Sequence, residues 1–405
     1  MQQNNVDVNR LFLSSRIALI ATAMTFAIRA KLMPVWESQF HLTGEEVGWV
    51  AGTAFWGFTL AMLFGGPLCD IIGMKRLILF AFIGHVLGVL ITIFATGYST
   101  LFLGTLVIGI ANGMVEAACN PLVTSLYSDN KTTMLNKFHV WFPGGIVIGG
   151  LVAYLLMDMI GMSWLVLMVT ILIPTLIYGW MFYSLQFPKT ERVNMGASSQ
   201  AMYGAVATPL FIVMVICMLM TSSTELGTGQ WIDALMKQAT SSPILLLVFI
   251  NGIMALGRSF AGPIVHQLSP SGMLIFSAVF SCLGLYWLSH ATGGATFLAA
   301  AVFAAGTCYF WPTMLGFVSE YVPKSGALGL SIMGGAGMLS VSFILPYIGK
   351  IYDGFLATAK SSGASDAAAN LEAGSLSLQK VAMMPLILIF AFVAIHFWVR
   401  NKERA

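Results

Sequence analysis

Long apolar stretches, each close to the length that carries a helix across a bilayer, alternate along this chain with short polar breaks. A hydrocarbon core about 30 Å thick needs about 20 apolar residues in helical form. Twelve stretches meet that need, over 11–35, 47–68, 76–97, 101–127, 138–158, 163–186, 206–228, 243–265, 273–290, 294–319, 325–352 and 378–398. The pattern predicts an all-α membrane protein of twelve transmembrane helices. The polar stretch from Gln186 to Tyr203, with Pro188, Lys189, Glu191 and Arg192, separates six spans from six. It sets an N-terminal half at 1–186, a cytoplasmic linker at 187–205 and a C-terminal half at 206–405. The first span is too long for a signal-peptide core and is expected to stay in the mature protein. The Ala-, Ser- and Gly-rich segment from Phe355 to Ser377 is expected as a mobile loop on the outer face.

Composition narrows the function. The 405 residues are 58% hydrophobic and 9% charged, with a mean hydropathy of +0.86. Soluble domains carry about 25% charged residues, so a water-soluble enzyme is excluded. The net charge of +3 includes no basic run longer than a dipeptide, and nucleic acid finds no footprint. The absence of a G-x4-G-K-[ST] loop excludes ATP-driven transport by this chain alone. Cys69, Cys119, Cys217, Cys282 and Cys308 stand far apart in or beside apolar spans, forming neither a disulfide framework nor a metal site. No cofactor is expected beyond a coupling ion. If both termini lie inside, thirteen of the nineteen Lys and Arg residues fall on the cytoplasmic side, Arg258 among them at an inner helix end. That bias predicts a multi-pass protein of the inner (cytoplasmic) membrane with cytoplasmic termini.

An internal repeat supports the two halves. Gly66-Pro67-Leu68-Cys69-Asp70 recurs as Gly262-Pro263-Ile264-Val265-His266, and the same offset carries Leu79-Phe80 onto Ile275-Phe276. Two six-helix halves in parallel repeat are the architecture of the major facilitator superfamily. The stretch from Gly66 to Arg76 resembles that superfamily's loop motif, G-x3-D-x2-G-x-[KR]-[KR]. The resemblance implies a cytoplasmic gate built from Gly66, Asp70, Gly73, Lys75 and Arg76. Asp70 would pair across the seam or cap a helix end, Gly73 would permit a tight turn, and the two cations would hold the loop inside. His266 replaces the acid in the second copy, where a weaker lock is expected.

Within the superfamily, Gly113-Met114-Val115-Glu116-Ala117-Ala118-Cys119-Asn120-Pro121 resembles the E-[TA]-A-x-N-P signature of the fucose–galactose–glucose:proton symporter family. Leu135-Asn136-x2-His139-x-Trp141-x3-Gly145, Glu225 in an E-x3-G segment, Trp311-Pro312-Thr313 and Gly257-Arg258-Ser259-Phe260 are similar to further stretches of that family. The resemblance implies import of a small neutral sugar by alternating access, coupled to a proton.

Glu116 is the foremost candidate, because an ionisable group near the middle of a span is costly and faces a partner or water. The family resemblance makes it the proton carrier; a carboxyl permanently hydrogen-bonded between helices is the plain alternative. Asn112 and Asn120, on the same span, are substrate-binding candidates with it. His139 can titrate, donate or accept, and either relays a proton and binds hydroxyls or faces cytoplasmic water at a helix start. Trp141 beside it is a sugar-stacking ring or an interfacial anchor. The family's first-span acid is missing here, where Arg29-Ala30-Lys31-Leu32-Met33-Pro34 stands. Arg29 and Lys31 lie about 200° apart around a helix. Arg29 is expected either to point inward toward a substrate oxygen or anion or to stand as an outer-vestibule charge that touches no substrate, and Lys31 to snorkel outward.

In the second half Glu225, Thr228, Gln230 and Trp231, with Gly227 and Gly229, form a polar and aromatic cluster. It is either an outer gate hinge or an ordinary helix end with a belt tryptophan. Asn251, Phe310 and Trp311 add hydrogen-bonding and stacking surface suited to a sugar. The expected molecule is a monomer in the lipid bilayer that moves one small polar solute by rocking its halves. Two alternatives stay open: efflux of drugs or organic ions through an adaptable lining drawn from 25 Met and many aromatics, and sodium-coupled or uniport transport of the same sugar.

Overall fold

The computed structural model describes residues 6–42, 44–194, 196, 199–229 and 243–404. The Asp7 carboxylate accepts the Arg10 N–H at 3.0 Å and so caps α1 (Val8–Phe40). α2 (Gly44–Ile72) and α3 (Met74–Ile93) meet at Gly73, whose φ of 88° suits a residue without Cβ. α4 (Tyr98–Leu126) follows. The fifth span is α5 (Lys131–His139), α6 (Trp141–Ala153) and a π turn, Tyr154–Met159; the sixth is α7 (Trp164–Thr170) and α8 (Leu172–Ser184). Short helices α9 (Glu191–Asn194) and α10 (Ser199–Val206) lie between the halves.

In the second half α11 (Pro209–Ser222) passes into a π turn, Ser223–Gly227. α12 (Pro243–Ser259), α13 (Ala261–Leu288), α14 (Ala295–Thr307), α15 (Phe310–Tyr321), α16 (Gly326–Ser361) and α17 (Asp366–Arg404) complete the chain. Among the described residues, 11 helical bodies are long and apolar enough to cross a membrane, and α12, of 17 residues, stands where the remaining predicted span lies. Large apolar side chains such as Phe64, Ile71, Trp180 and Phe390 stay exposed, as a bilayer-facing surface requires.

Two expectations change. The mobile outer loop over Phe355–Ser377 is helix: α16 runs on to Ser361, α17 starts at Asp366, and only 362–365 separates them. Alanine is the strongest helix former, so a segment too polar to read as a span still folds as one. Gly363 takes the turn at φ 85°, with Lys360 paired to Asp366 at 2.9 Å across it. The eighth span ends at Ser259 rather than Val265, and the second copy of the repeat opens α13, which kinks at Ser269 (φ 62°) before Pro270.

Within the first half α4 packs against α2 and α3, and α1 against α6; within the second, α13 packs against α14 and α17. The halves meet where α2 faces α16, α5 faces α15 and α6 faces α12. The α2–α16 seam is closed over a long stretch. The rings of Trp56 and Phe343 stand 6.3 Å apart, and the Thr59 hydroxyl donates to the Gly335 carbonyl at 3.4 Å. Further along, a Cβ on Gly66 would lie 2.7 Å from Ser331 Cβ and 2.9 Å from the Ala327 carbonyl, so α2 approaches this closely only because residue 66 has no side chain.

Candidate functional site

Each break in these helices frees backbone carbonyls that a continuous helix would use. α5 ends at His139 and α14 ends just before Cys308, and both breaks face the seam. Arg258, at the C-terminal end of α12, reaches both. Its Nη1 donates to the His139 carbonyl at 3.0 Å and its Nε donates to the Cys308 carbonyl. Its Nη2 donates to Glu225 Oε1 at 2.9 Å. The π turn that carries Glu225 widens the helix by one residue and turns its carboxylate toward Arg258. Only 1% of the Arg258 side chain is exposed. One guanidinium therefore joins the two halves, and a helix C-terminus is a favourable place for it.

Opposite this pair, α4 presents Glu116 and Asn120 one turn apart. Asn120 Nδ2 donates to Glu116 Oε2 at 3.1 Å, while its Oδ1 accepts from His139 Nε2 at 3.0 Å. That network makes Nε2 the protonated ring nitrogen and holds it 4.0 Å from Glu116 Oε2. Glu116, His139, Phe142, Glu225, Arg258 and Trp311 surround one cavity between the halves. At about 10 Å³ it has room for a single water, against about 300–1,000 Å³ for a ligand pocket, so the molecule is closed around its centre. On the same wall the Trp311 indole N–H faces the Glu116 carboxylate and the Trp311 backbone N–H faces Glu225.

Of the candidates read from the chain, Glu116, Asn120, His139, Glu225 and Trp311 meet here. Asn112 does not line the cavity. It donates to Thr25 Oγ1 and accepts from His85 Nε2, both at 2.8 Å, and the other ring nitrogen of His85 accepts from the Tyr178 hydroxyl at 2.8 Å. Arg29 lines a different cavity inside the first half. Trp141 and Phe310 pack into the core, Phe310 against Phe392. Asn251 is buried on α12, two turns before Arg258. Gln230 and Trp231 lie outside the described residues. The helix past Glu225 stays wound as a π turn up to Gly227 and as α-helix through Gly229.

The charge bias places Arg258 at an inner helix end on the cytoplasmic side; the structure buries it on the cavity between the halves. A cation inside an apolar run is itself the signal of a functional group, and it was obscured by the nearby end of the predicted span. Phe142 and Met338, which also line the cavity, carried no signal beyond their apolar character.

Residues of the loop motif form a second cluster on the side of the α2–α3 turn. Asp70 Oδ1 accepts the Thr190 hydroxyl, and Lys75 donates to the carbonyls of Tyr183 at 2.8 Å and Leu185 at 2.9 Å, while Arg76 is exposed. Nearby, Lys131 pairs with Glu191 and donates to the Ser319 carbonyl at 3.2 Å. Glu320 accepts from the Thr132 hydroxyl at 2.6 Å and from its N–H at 3.1 Å. These bonds tie α5 of the first half, the linker helix α9 and α15 of the second half together.

Comparison with known proteins follows the same lines. The chain matches the Major Facilitator Superfamily over residues 17–346. An uncharacterized transporter of Buchnera aphidicola subsp. Acyrthosiphon pisum (strain APS) is 22% identical over 299 residues, 71% of this chain and 72% of that protein. Among solved structures, the E. coli fucose:proton symporter FucP superposes with a TM-score of 0.69 at 15% identity, covering 93% of this chain and 99% of that one. The human organic anion transporter MFSD10 gives 0.74 at 11% identity over 95% and 99%. The proton:xylose symporter XylE, bound to 6-bromo-6-deoxy-D-glucose, gives 0.74 at 13% over 95% and 94%. At such identities the likeness to these structures is one of fold, whereas the family match spans most of the chain: this protein belongs to the major facilitator superfamily and is a transporter, not an enzyme.

Proposed function

We propose that this transporter imports a small neutral sugar, a hexose or a related one, across the cytoplasmic inner membrane together with a proton, its halves rocking about the central cavity. The observation that carries the reading is the meeting, in one space between the halves, of two carboxyl groups, Glu116 and Glu225, with the His139 ring, the Arg258 guanidinium and the Trp311 indole. A hydroxyl both donates and accepts, so a polyol can donate to the carboxylates of this lining and accept from its N–H groups. The indole face of Trp311 adds a surface for the C–H face of a sugar ring. The sugar:proton symport of the FucP and XylE neighbours is consistent with this reading.

Proton coupling is assigned to Glu116, with His139 as its neighbour. Shutting a dry cavity around a neutral carboxyl costs little, and around a bare carboxylate it costs several kcal/mol, which links proton loading to closure. Asn120 bridges the two groups, so protonation of His139 is felt at Glu116. Arg258 holds Glu225 in place through their hydrogen bond, leaving Glu116 as the acid free to cycle.

Proteoliposomes test this directly. Radiolabelled hexoses and deoxyhexoses should accumulate under an inward proton gradient, and Glu116→Gln should abolish accumulation while sugar exchange continues. Uphill uptake by that variant would overturn the role of Glu116. Accumulation driven by sodium, or uptake indifferent to any gradient, would replace proton coupling by the sodium-coupled or uniport alternative. Organic-ion efflux is the second reading, favoured by the Arg258 guanidinium on the cavity wall; transport of organic ions with no sugar uptake would establish it instead.

A further inference from the structure

A second enclosed space lies inside the first half, away from the seam. Thr25, Arg29 and Trp36 of α1, Thr105 of α4, and Met168 and Ile171 of the sixth span line it, and at about 10 Å³ it holds one water-sized occupant. Its chemistry is one-sided. The Arg29 guanidinium rests 4.9 Å from the centroid of the Phe26 ring and meets no carboxylate among the described residues. Asp158 gives both oxygens to Lys31, at 2.6 and 2.7 Å. Trp36 is 2% exposed, and its indole N–H has no partner. The threonine hydroxyls spend their protons on the backbone, Thr25 on the Thr22 carbonyl at 2.6 Å and Thr105 on that of Leu101 at 2.9 Å. The lining, then, includes a cation and an indole whose N–H has no partner, and no acidic side chain.

A largely buried cation without a counter-charge is costly, and a water molecule cannot neutralise it. We propose that this cavity holds a small monovalent anion, a halide such as chloride, bound by Arg29 and the Trp36 N–H. The space is too small for a sugar or a carboxylate-bearing solute. It lies within one half rather than between the halves, so the ion is a resident counter-charge and not the cargo. Thr25 also accepts from Asn112, so the ion sits at the end of the buried chain Tyr178, His85, Asn112, Thr25 that joins α8, α3, α4 and α1. The residual exposure of Arg29 provides its access route.

Thermal unfolding of the detergent-purified protein tests the proposal, with sodium chloride, bromide and gluconate compared at one ionic strength so that screening is constant. The halides should raise the midpoint over gluconate by roughly 2–4 °C, saturating with concentration, because an ion that binds only the folded state stabilises it by mass action. Arg29→Gln should abolish the difference, and Trp36→Phe, which keeps the charge and loses only the N–H, should shift the response to higher halide concentration. Crystals grown in bromide should show an anomalous peak between Arg29 and Trp36. Equal midpoints in the three salts, or a halide response that survives in Arg29→Gln, would overturn the proposal. Should Arg29→Gln not fold, an undiminished response in Trp36→Phe or a bromide crystal without the peak would do the same.

Discussion

Replacing Arg258 with methionine removes one cation and three hydrogen bonds from the centre of the molecule. Glu225 is then left buried with no cation beside it, and the carbonyls of His139 and Cys308 lose their donor. Breaking a buried ion pair from one side costs about 3–5 kcal/mol, mostly through the uncompensated charge that stays behind. The complementary change, Glu225→Gln, leaves the Arg258 charge without its carboxylate, but Arg258 keeps both carbonyls and an amide oxygen that can accept from it, so the cost is smaller than that of losing the guanidinium. The double variant Arg258→Met/Glu225→Gln has no stranded charge. It should therefore be more stable than Arg258→Met alone, with a coupling of about 0.5–3 kcal/mol in the cycle. Unfolding in mixed detergent micelles, followed by tryptophan fluorescence, ranks the four proteins.

The expected order of stability is wild type, Glu225→Gln, the double variant, then Arg258→Met. A loss below about 1 kcal/mol in Arg258→Met, or a double variant no better than that single one, would refute the argument. Either result would mean that Arg258 reaches water in the folded protein and that Glu225 does not depend on it.

Three further outcomes follow from the packing. Gly66→Leu places a side chain where a Cβ alone would sit 2.7 Å from Ser331 Cβ, so it should hold the halves apart on that side; spin labels at Ser128 and Lys324 should report a longer distance than in wild type, and an unchanged one would contradict the seam. Lys131→Met cuts the link from α5 to Glu191 and the Ser319 carbonyl and should cost about 1–2 kcal/mol in the same unfolding assay, with no loss counting against the clamp. Asn112→Ala strands the His85 N–H and should cost about 1–3 kcal/mol while leaving substrate affinity alone; weaker binding at unchanged stability would return Asn112 to the transport site.

Apolar length was legible because a bilayer demands it, and the spans follow from where that length is interrupted. The Glu116 cluster was legible for a local reason: residues four apart share a helix face, so Asn120 lies beside Glu116 wherever the helix points. The same arithmetic explains Asn112. At about 100° per residue, Asn112 and Asn120 differ by about 80° around α4, enough to turn one toward α1 and α3 and the other toward His139 on α5. The Ala-rich stretch over Phe355–Ser377 was misread because hydropathy measures burial, not helix propensity.

Arg258 was missed for a deeper reason. Its partners are a carboxylate on a π turn and two carbonyls freed at helix breaks, far apart along the chain. Hydrophobic periodicity reports what continuous helices bury, whereas these bonds exist because three helices are interrupted. A polar residue inside an apolar run deserves to be read together with the breaks opposite it, since a freed carbonyl needs a donor and a buried cation needs acceptors. In a transporter that rocks about its centre, such breaks are also where one half can release the other. The bond from Arg258 to the His139 carbonyl crosses between the halves, while those to Glu225 and Cys308 stay within the second. Separating the halves at this point breaks one carbonyl bond of Arg258, and its pair with Glu225 lies wholly within the second half.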